Sequence, residues 1–220
     1  GARRRKSMSM SPTHPSSQRS RPDIRARFLR MEPGETSSLH SHDLGEEIFL
    51  VLEGQAEFEI QGHREILGPG QLCLAARDEI HAVRCVGDQT MTMYLSVTPH
   101  IEPTHTWWTK DGLKLEPRYG GSTKAERAMR DASGAPVIAD LAEAHVEAVE
   151  HAAERAMKAV DIQRSGQARL LVALREQDRA AAKVAIDDMW AELYQAFSAV
   201  RDMAGTWNEL AARAVPKSDT

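Results

Sequence analysis

From Asp23 to Val97 a cluster of turn formers interrupts the chain about every 8–12 residues, and this rhythm constrains the fold more than any other feature. The clusters are PGET, LEGQ, QGHR, GPGQ, ARDE and VGDQ. Between them lie DIRARFLRM, EEIFLVLEG, AEFEI, QLCLA, IHAVRCV and TMTMYLSV. Each is too short for an ordinary helix, and several alternate apolar with polar side chains, the period of a strand with one buried face. Short strands joined by tight turns pair antiparallel. An antiparallel β-barrel or jelly roll is therefore expected over residues 23–121.

The texture then changes. Residues 98–121 are loop-like, with three prolines and the adjacent Trp107 and Trp108. Residues 122–136 read as a short helix and linker, in which Thr123 and Glu126 have capping-box spacing. Beyond ASGAP, Ala, Glu and Arg dominate and turn formers nearly vanish. This predicts a helical hairpin over 137–215, with Pro136 at a first helical position. The expected interruption is RSG at 164–166, which leaves a first helix of about 25 residues. Ile186, Trp190, Leu193, Phe197, Val200, Ala204, Trp207, Ala211 and Ala214 recur at alternating intervals of four and three. That is a heptad seam, and its members, Trp190 and Trp207 included, are expected to pack in a core. Leu170, Leu171 and Leu174 fall out of phase with it, which places a bend or stutter near 179–184. The fold class is mainly β with an α extension.

Hydrophobic residues make up 41% of the 220, enough for a core. No apolar run approaches the ~18 residues of a membrane-spanning helix. The N-terminus lacks the apolar stretch of a secretory signal, and Gly1 in place of Met makes Met8 or Met10 the expected native start. The net charge of −4 is unevenly spread: residues 1–30 hold nine Arg/Lys and one Asp, leaving the remainder at about −12. Residues 1–22 are expected to form a disordered basic tail. The last 84 residues carry 14 acidic and 10 basic side chains, the wrong sign for phosphate contacts, and nucleic-acid binding is not expected. Two cysteines, Cys73 and Cys85, cannot build a disulfide framework; free thiols in a cytoplasmic protein are expected.

The stretch GETSSLHSHDLGEEIFLVLEG, residues 34–54, carries the chemistry. On a strand, residues two apart face the same side, so His40 and His42 project together. An antiparallel return brings Glu47 to that side, with Phe49 and Val51 forming an apolar wall around it and Glu46 turned to solvent. Gly34 and Gly54 stand where tight turns are needed.

This spacing resembles the first motif of the cupin superfamily: glycine, five residues, His-x-His, four residues, Glu, six residues, glycine. Gly34, His40, His42, Glu47 and Gly54 occupy every position. The second cupin motif is met in part by GQLCLAARDEIHAVRC, with Gly70 and His81 in place. Ala76 stands for its proline, Asp78 for its glycine and Cys85 for its asparagine. Asp tolerates left-handed backbone angles, which makes Asp78 a workable substitute in the turn. The resemblance implies a three-His, one-carboxylate site of His40, His42, Glu47 and His81 holding one divalent transition metal ion. Such donors suit Fe, Mn, Ni, Cu or Zn and do not choose among them.

Other titratable residues read differently. Cys85 lies four after His81, on the same face, as a buried thiol lining the pocket; Cys73 is structural. His100 and His105 either close over a pocket mouth with Trp107 and Trp108 or lie on the surface. His63 is expected in a solvent-exposed turn. His145 and His151 are six apart, which does not share a helix face.

With a redox-active ion the resemblance implies small-molecule oxygenase chemistry, with Glu47 also accepting a substrate proton. With a redox-silent ion it implies isomerisation, epimerisation or hydrolysis. The alternative is a ligand-sensing cupin whose helical arm mediates oligomerisation or docking. A small-molecule ligand and a homodimer are the expected partners, and no membrane.

Overall fold

The computed structural model describes residues 18–20, 22–119 and 137–215. The expected tail up to residue 17, the capping box of Thr123 and Glu126, and Pro136 lie outside the described residues. The described residues divide into two compact units, one of residues 18–119 and one of residues 137–215.

Among the described residues the first unit has ten strands: β1 (Gln18–Ser20), β2 (Arg25–Met31), β3 (His40–Ser41), β4 (Glu46–Glu53), β5 (Gln55–Ile60), β6 (His63–Leu67), β7 (Leu72–Ala75), β8 (His81–Val86), β9 (Met91–Thr98) and β10 (Thr106–Trp107). They form two five-stranded sheets, ordered β1-β2-β9-β4-β7 and β10-β3-β8-β5-β6, with every pairing antiparallel. Inward side chains of both sheets meet in one core, in which Phe49, Val51, Phe58, Val83, Met93 and Leu95 are buried. This is the jelly-roll arrangement, two facing sheets and not a continuously closed barrel.

Alternation decides which residues enter that core. Along β4, Glu47, Phe49 and Val51 are buried while their neighbours are less so. Gly54, which joins β4 to β5, adopts a φ of +70°. A Cβ there would lie 2.7 Å from the Thr90 carbonyl oxygen, so both backbone angle and space demand glycine. The β5–β6 turn places Gln61 and Gly62 at φ 50° and 78°, the two left-handed residues of a hairpin whose twist matches its strands.

Six strands follow the apolar segments. Four arise where the sequence pattern is silent. His63 is not in a turn: it opens β6, an edge strand with only Leu67 buried, so its alternation is invisible. β1 falls inside the segment expected to lack structure and pairs with β2 through Gln18 opposite Arg27. β3 and β10 are two residues each and pair with one another.

The second unit is a helical hairpin, α1 (Ile138–Arg175) and α2 (Arg179–Ala214). The break is not at RSG. α1 runs through 164–166 because Gly166 is a contact point: a Cβ there would lie 2.3 Å from Met189 Cγ on α2. The chain turns instead at Glu176–Asp178. Gln177 takes a φ of 56°, its N–H donates to the Leu174 carbonyl, and the Asp178 N–H donates to that of Ala173 at 2.9 Å. That pair of bonds is a Schellman close, with glutamine where glycine is usual. Asp178 then caps α2, accepting from the Ala180 and Ala181 N–H groups.

The expected seam holds only toward its C-terminal end, where Ala204 and Ala211 are buried and Trp207 is half-buried. From Ile186 to Val200 it is displaced: Ile186, Trp190, Phe197 and Val200 are exposed, and Ala185, Ala196 and Ala199 are buried instead. On α1 the buried residues are Ala152, Ala159, Gly166 and Ala173, one every seven. Small side chains let the backbones approach, and large ones at the heptad positions are turned outward. Polar contacts fix the antiparallel register: His145 Nδ1 meets Thr206 Oγ1 at 2.9 Å, Gln163 donates to the Met189 carbonyl at 2.9 Å, and Arg169 pairs with Asp188 at 2.7 Å.

Candidate metal centre

Four side chains from three strands and one strand end converge inside the first unit. His40 lies on β3, His42 directly follows it, Glu47 is the second residue of β4 and His81 opens β8. His40 and His81 are register partners across β3 and β8. His42 is not part of the strand, so strand alternation alone does not aim it. Its carbonyl accepts from the N–H of Asp78 at 3.0 Å. Asp78 sits at φ 65°, the left-handed angle that the cupin motif assigns to glycine.

Glu47 Oε2 is the meeting point. His42 Nε2 stands 2.8 Å from it, His81 Nε2 3.1 Å and His40 Nε2 3.7 Å. One donor atom from each of the four residues lies within 4.8 Å of all the others. Glu47 and His81 are 3% and 2% exposed, so water does not satisfy the group. Phe49 closes one side, its ring 5.7 Å from that of His81. Glu46, by contrast, faces solvent.

The far nitrogens set the protonation. His40 Nδ1 donates to the Ser38 carbonyl at 2.8 Å, His42 Nδ1 to that of Thr104 at 2.6 Å and His81 Nδ1 to that of Glu79 at 2.8 Å. A carbonyl only accepts, so each Nδ1 carries a proton, and a ring with no second proton turns its Nε2 lone pair toward Glu47. Three such lone pairs and a carboxylate pointed at one spot are four acceptors without a donor. This donor set fits a divalent cation, and the carbonyl contacts are the orientation that metal-ligating histidines need. Without one, protons must fill the gap. A ring that takes a second proton donates Nε2–H to Glu47: burial raises the Glu47 pKa, but these hydrogen bonds from His40, His42 and His81 outweigh it and hold the carboxyl well below its usual range. Burial lowers the His40 pKa, opposed by Glu47 and assisted by His81 and His42.

His105 is buried beside this group. Its ring centroid is 4.9 Å from those of both His40 and His42, and it stacks on Trp107 at 4.9 Å. Burial, then His40, His42 and Arg25, hold its pKa well below the usual histidine value. Of the two readings for this segment the structure has the buried one: His105 and His100 are both buried, and Trp107 and Trp108 are half-buried. Trp107 lies 5.5 Å from His40, and Trp108 donates to Ser41 Oγ at 3.0 Å. His100 instead bonds Thr104 Oγ1 at 2.7 Å, on the residue whose carbonyl holds His42. Cys85 is buried and turned to the Gln89 carbonyl, away from the four donors. Burial pushes the Cys73 thiol up to about 12, which suits an inert side chain.

Sequence reasoning did not find the carbonyls of Ser38, Glu79 and Thr104, because backbone atoms leave no mark in residue type. It left β10 as loop, although the density of His and Trp in residues 100–108 was the available signal.

Residues 27–98 match the family model described as the cupin domain, and this part of the chain is a cupin domain. No curated protein sequence matches the chain. Among solved structures, it is similar to a conserved double-stranded beta-helix protein from Klebsiella pneumoniae at 22% identity, over 36% of this chain and 66% of that one, with a TM-score of 0.35. KdgF from Halomonas matches at 22% identity, over 39% of this chain and 76% of that one, with a TM-score of 0.35. The DMSP lyase DddQ from Ruegeria pomeroyi matches at 27% identity, over 42% of this chain and 46% of that one, with a TM-score of 0.37. Among the described residues no helix is long and apolar enough to cross a membrane.

Proposed function

We propose that this chain is a metal-dependent cupin enzyme of the oxygenase type, acting on a small molecule. The observation that carries the reading is the convergence of three Nε2 lone pairs on a buried carboxylate, each ring oriented by a backbone carbonyl. His40, His42, Glu47 and His81 would hold one divalent transition ion. When bound, a redox-active ion supplies the electron transfer that dioxygen chemistry requires. The protein's own part is to exclude water with Phe49 and the core behind it, and to hold each ring through Nδ1–H so that Nε2 faces the centre. Glu47 is the group available to accept a substrate proton once the site is filled. His105 and Trp107 form the aromatic wall against which a planar substrate would lie.

The working form is a homodimer in the cytoplasm. The free thiols of Cys73 and Cys85 support that location.

Elemental analysis of protein purified without added metal tests the reading. About one iron, copper, nickel or manganese per chain, absent from Glu47→Gln, is the expected result. Zinc at the same stoichiometry would redirect the assignment to isomerase or hydrolase chemistry. No metal as purified, together with no calorimetric binding of Fe(II), Mn(II) or Zn(II), would overturn it in favour of a ligand-binding module.

A further inference from the structure

The helical hairpin carries more large apolar side chains than its own packing buries. On α2, Trp190 is 57% and Phe197 59% exposed, with Ile186 and Val200 nearly half exposed. On α1, Met157 is 69% exposed, and Val146, Val160 and Leu171 are exposed as well. These side chains are not scattered. At about 100° per residue, the α2 group lies roughly a third of a turn from Ala185, Ala196 and Ala199, the alanines at its level that face α1; Ala204 and Ala211, beyond Val200, continue the line of the group into the hairpin. The α1 group lies at a similar angle from the row Ala152 to Ala173. Because the helices are antiparallel, these equal rotations carry both stripes to the same side of the hairpin, making one two-helix apolar face. Its exposed area is on the order of 900 Å², about half of a stable interface and well above an incidental patch.

Charge decides what fits there. The outer edge of the α1 stripe bears Glu143, Glu150, Glu154 and Asp161, all exposed, with Arg164 the exception. The outer edge of the α2 stripe bears Arg179, Lys183 and Arg201, with Asp187 the exception. A second copy related by a two-fold axis along the helices sets α1 against the partner's α2, acidic edge to basic edge. A two-fold axis across the hairpin would set α1 against α1, acid to acid. Rotation about the helix direction also leaves heights unchanged. Each α1 residue therefore faces the α2 position that it is level with in its own hairpin. His145 is level with Thr206 and Gln163 with Met189. By the same register Glu150 stands beside the partner's Arg201, and Arg164 beside the partner's Asp187. Both are pairs of opposite sign. Within the chain, Asp187 is engaged by Lys183 and Arg201 by Asp202, exposed contacts that cost little to exchange.

We propose that this face docks onto the same face of a second copy, α1 against the partner's α2, in a four-helix bundle. The inference rests on the homodimer reading above and adds where and how the copies meet. Sedimentation equilibrium of the full chain at micromolar concentration should show a dimer. Trp190→Glu combined with Phe197→Glu should raise the dissociation constant about a hundredfold or more. Glu150→Arg alone and Arg201→Glu alone should each weaken the dimer about tenfold, and the double charge reversal should restore it to within about twofold. Far-ultraviolet circular dichroism should report unchanged helix in the charge variants, which alter only exposed positions. A monomeric wild type would overturn both the homodimer and this face. A dimer indifferent to the apolar pair of substitutions would overturn the face alone. A dimer broken by that pair but not rescued by the double reversal would overturn the pairing of α1 with α2.

Discussion

The two units of this protein are held together by opposite means. The cupin unit fills space with large side chains: Phe49 and Phe58 lie with ring centroids 5.1 Å apart at its centre. Around them, strands distant in sequence bring their inward residues into one cluster. The hairpin leaves space out: Ala152, Ala159, Gly166 and Ala173 form a groove into which the alanines of α2 settle. A large core offers burial free energy and a water-free pocket, which a site of four polar ligands needs. A small-residue groove offers little burial per residue but two backbones in close, straight alignment. That leaves bulky side chains free on the outside for another surface.

The comparison predicts that the cupin unit breaks when volume is removed and the hairpin when volume is added. Phe58→Ala should cost the first unit about 3–5 kcal/mol in denaturant unfolding, because the ring leaves a cavity between two sheets that cannot collapse around it. Next in size, Glu47→Gln should weaken divalent metal binding at least about a hundredfold by calorimetry, while leaving the fold intact because the two side chains are isosteric. In the hairpin, Gly166→Leu should cost about 1–3 kcal/mol through collision with Met189, and melting of the cupin unit should not move. The smallest expected change is Asp178→Ala, about 1 kcal/mol from the lost cap of α2.

Acid should also separate the two units. His40 and His105 have lowered pKa values in the folded state. Below the ordinary histidine pKa the unfolded chain takes up protons that the folded one refuses, so stability falls as pH drops through that range. Glu47, whose folded pKa is also depressed, adds a loss of the same sign as pH falls below the ordinary carboxylate value. The metal-free protein should therefore show a cupin-unit Tm that decreases from pH 7.5 to 5, and His105→Leu should flatten that slope. Metal affinity measured by calorimetry should fall over the same pH range, since protons and cation compete for the same lone pairs.

Much of the cupin unit was legible because its signals are local. The short apolar segments located β2, β4, β5, β7, β8 and β9; β4, β5 and β8 bury one face, whereas β9, between β2 and β4 in its sheet, is buried on both. The turn formers between them read correctly where left-handed angles were required, as at Gly54, and Asp78 adopts the angle expected of a glycine substitute. The failures share a cause. β6 buries one residue and β3 and β10 hold two residues each, so they offer no period to detect. In the hairpin, RSG looked like a break because glycine weakens helices; only the presence of Met189 opposite shows that this glycine is needed for contact. The heptad seam was right at Ala204 and Ala211, but from Ile186 to Val200 the residues that join α2 to α1 are Ala185, Ala196 and Ala199, alanines that carry almost no hydropathy contrast.

The sequence alone determined which residue types were available and at what local spacing: His40, His42 and Glu47 within one strand-turn-strand segment, and a β region followed by an α region. Only tertiary structure decided that His81, 34 residues from Glu47, joins them, and that the Thr104 carbonyl, 62 residues from His42, fixes a ring. It also decided which of two apolar faces of α2 meets α1. The reason is physical. A linear pattern records the chemistry that a segment can offer, whereas convergence and contact depend on what other segments place opposite it.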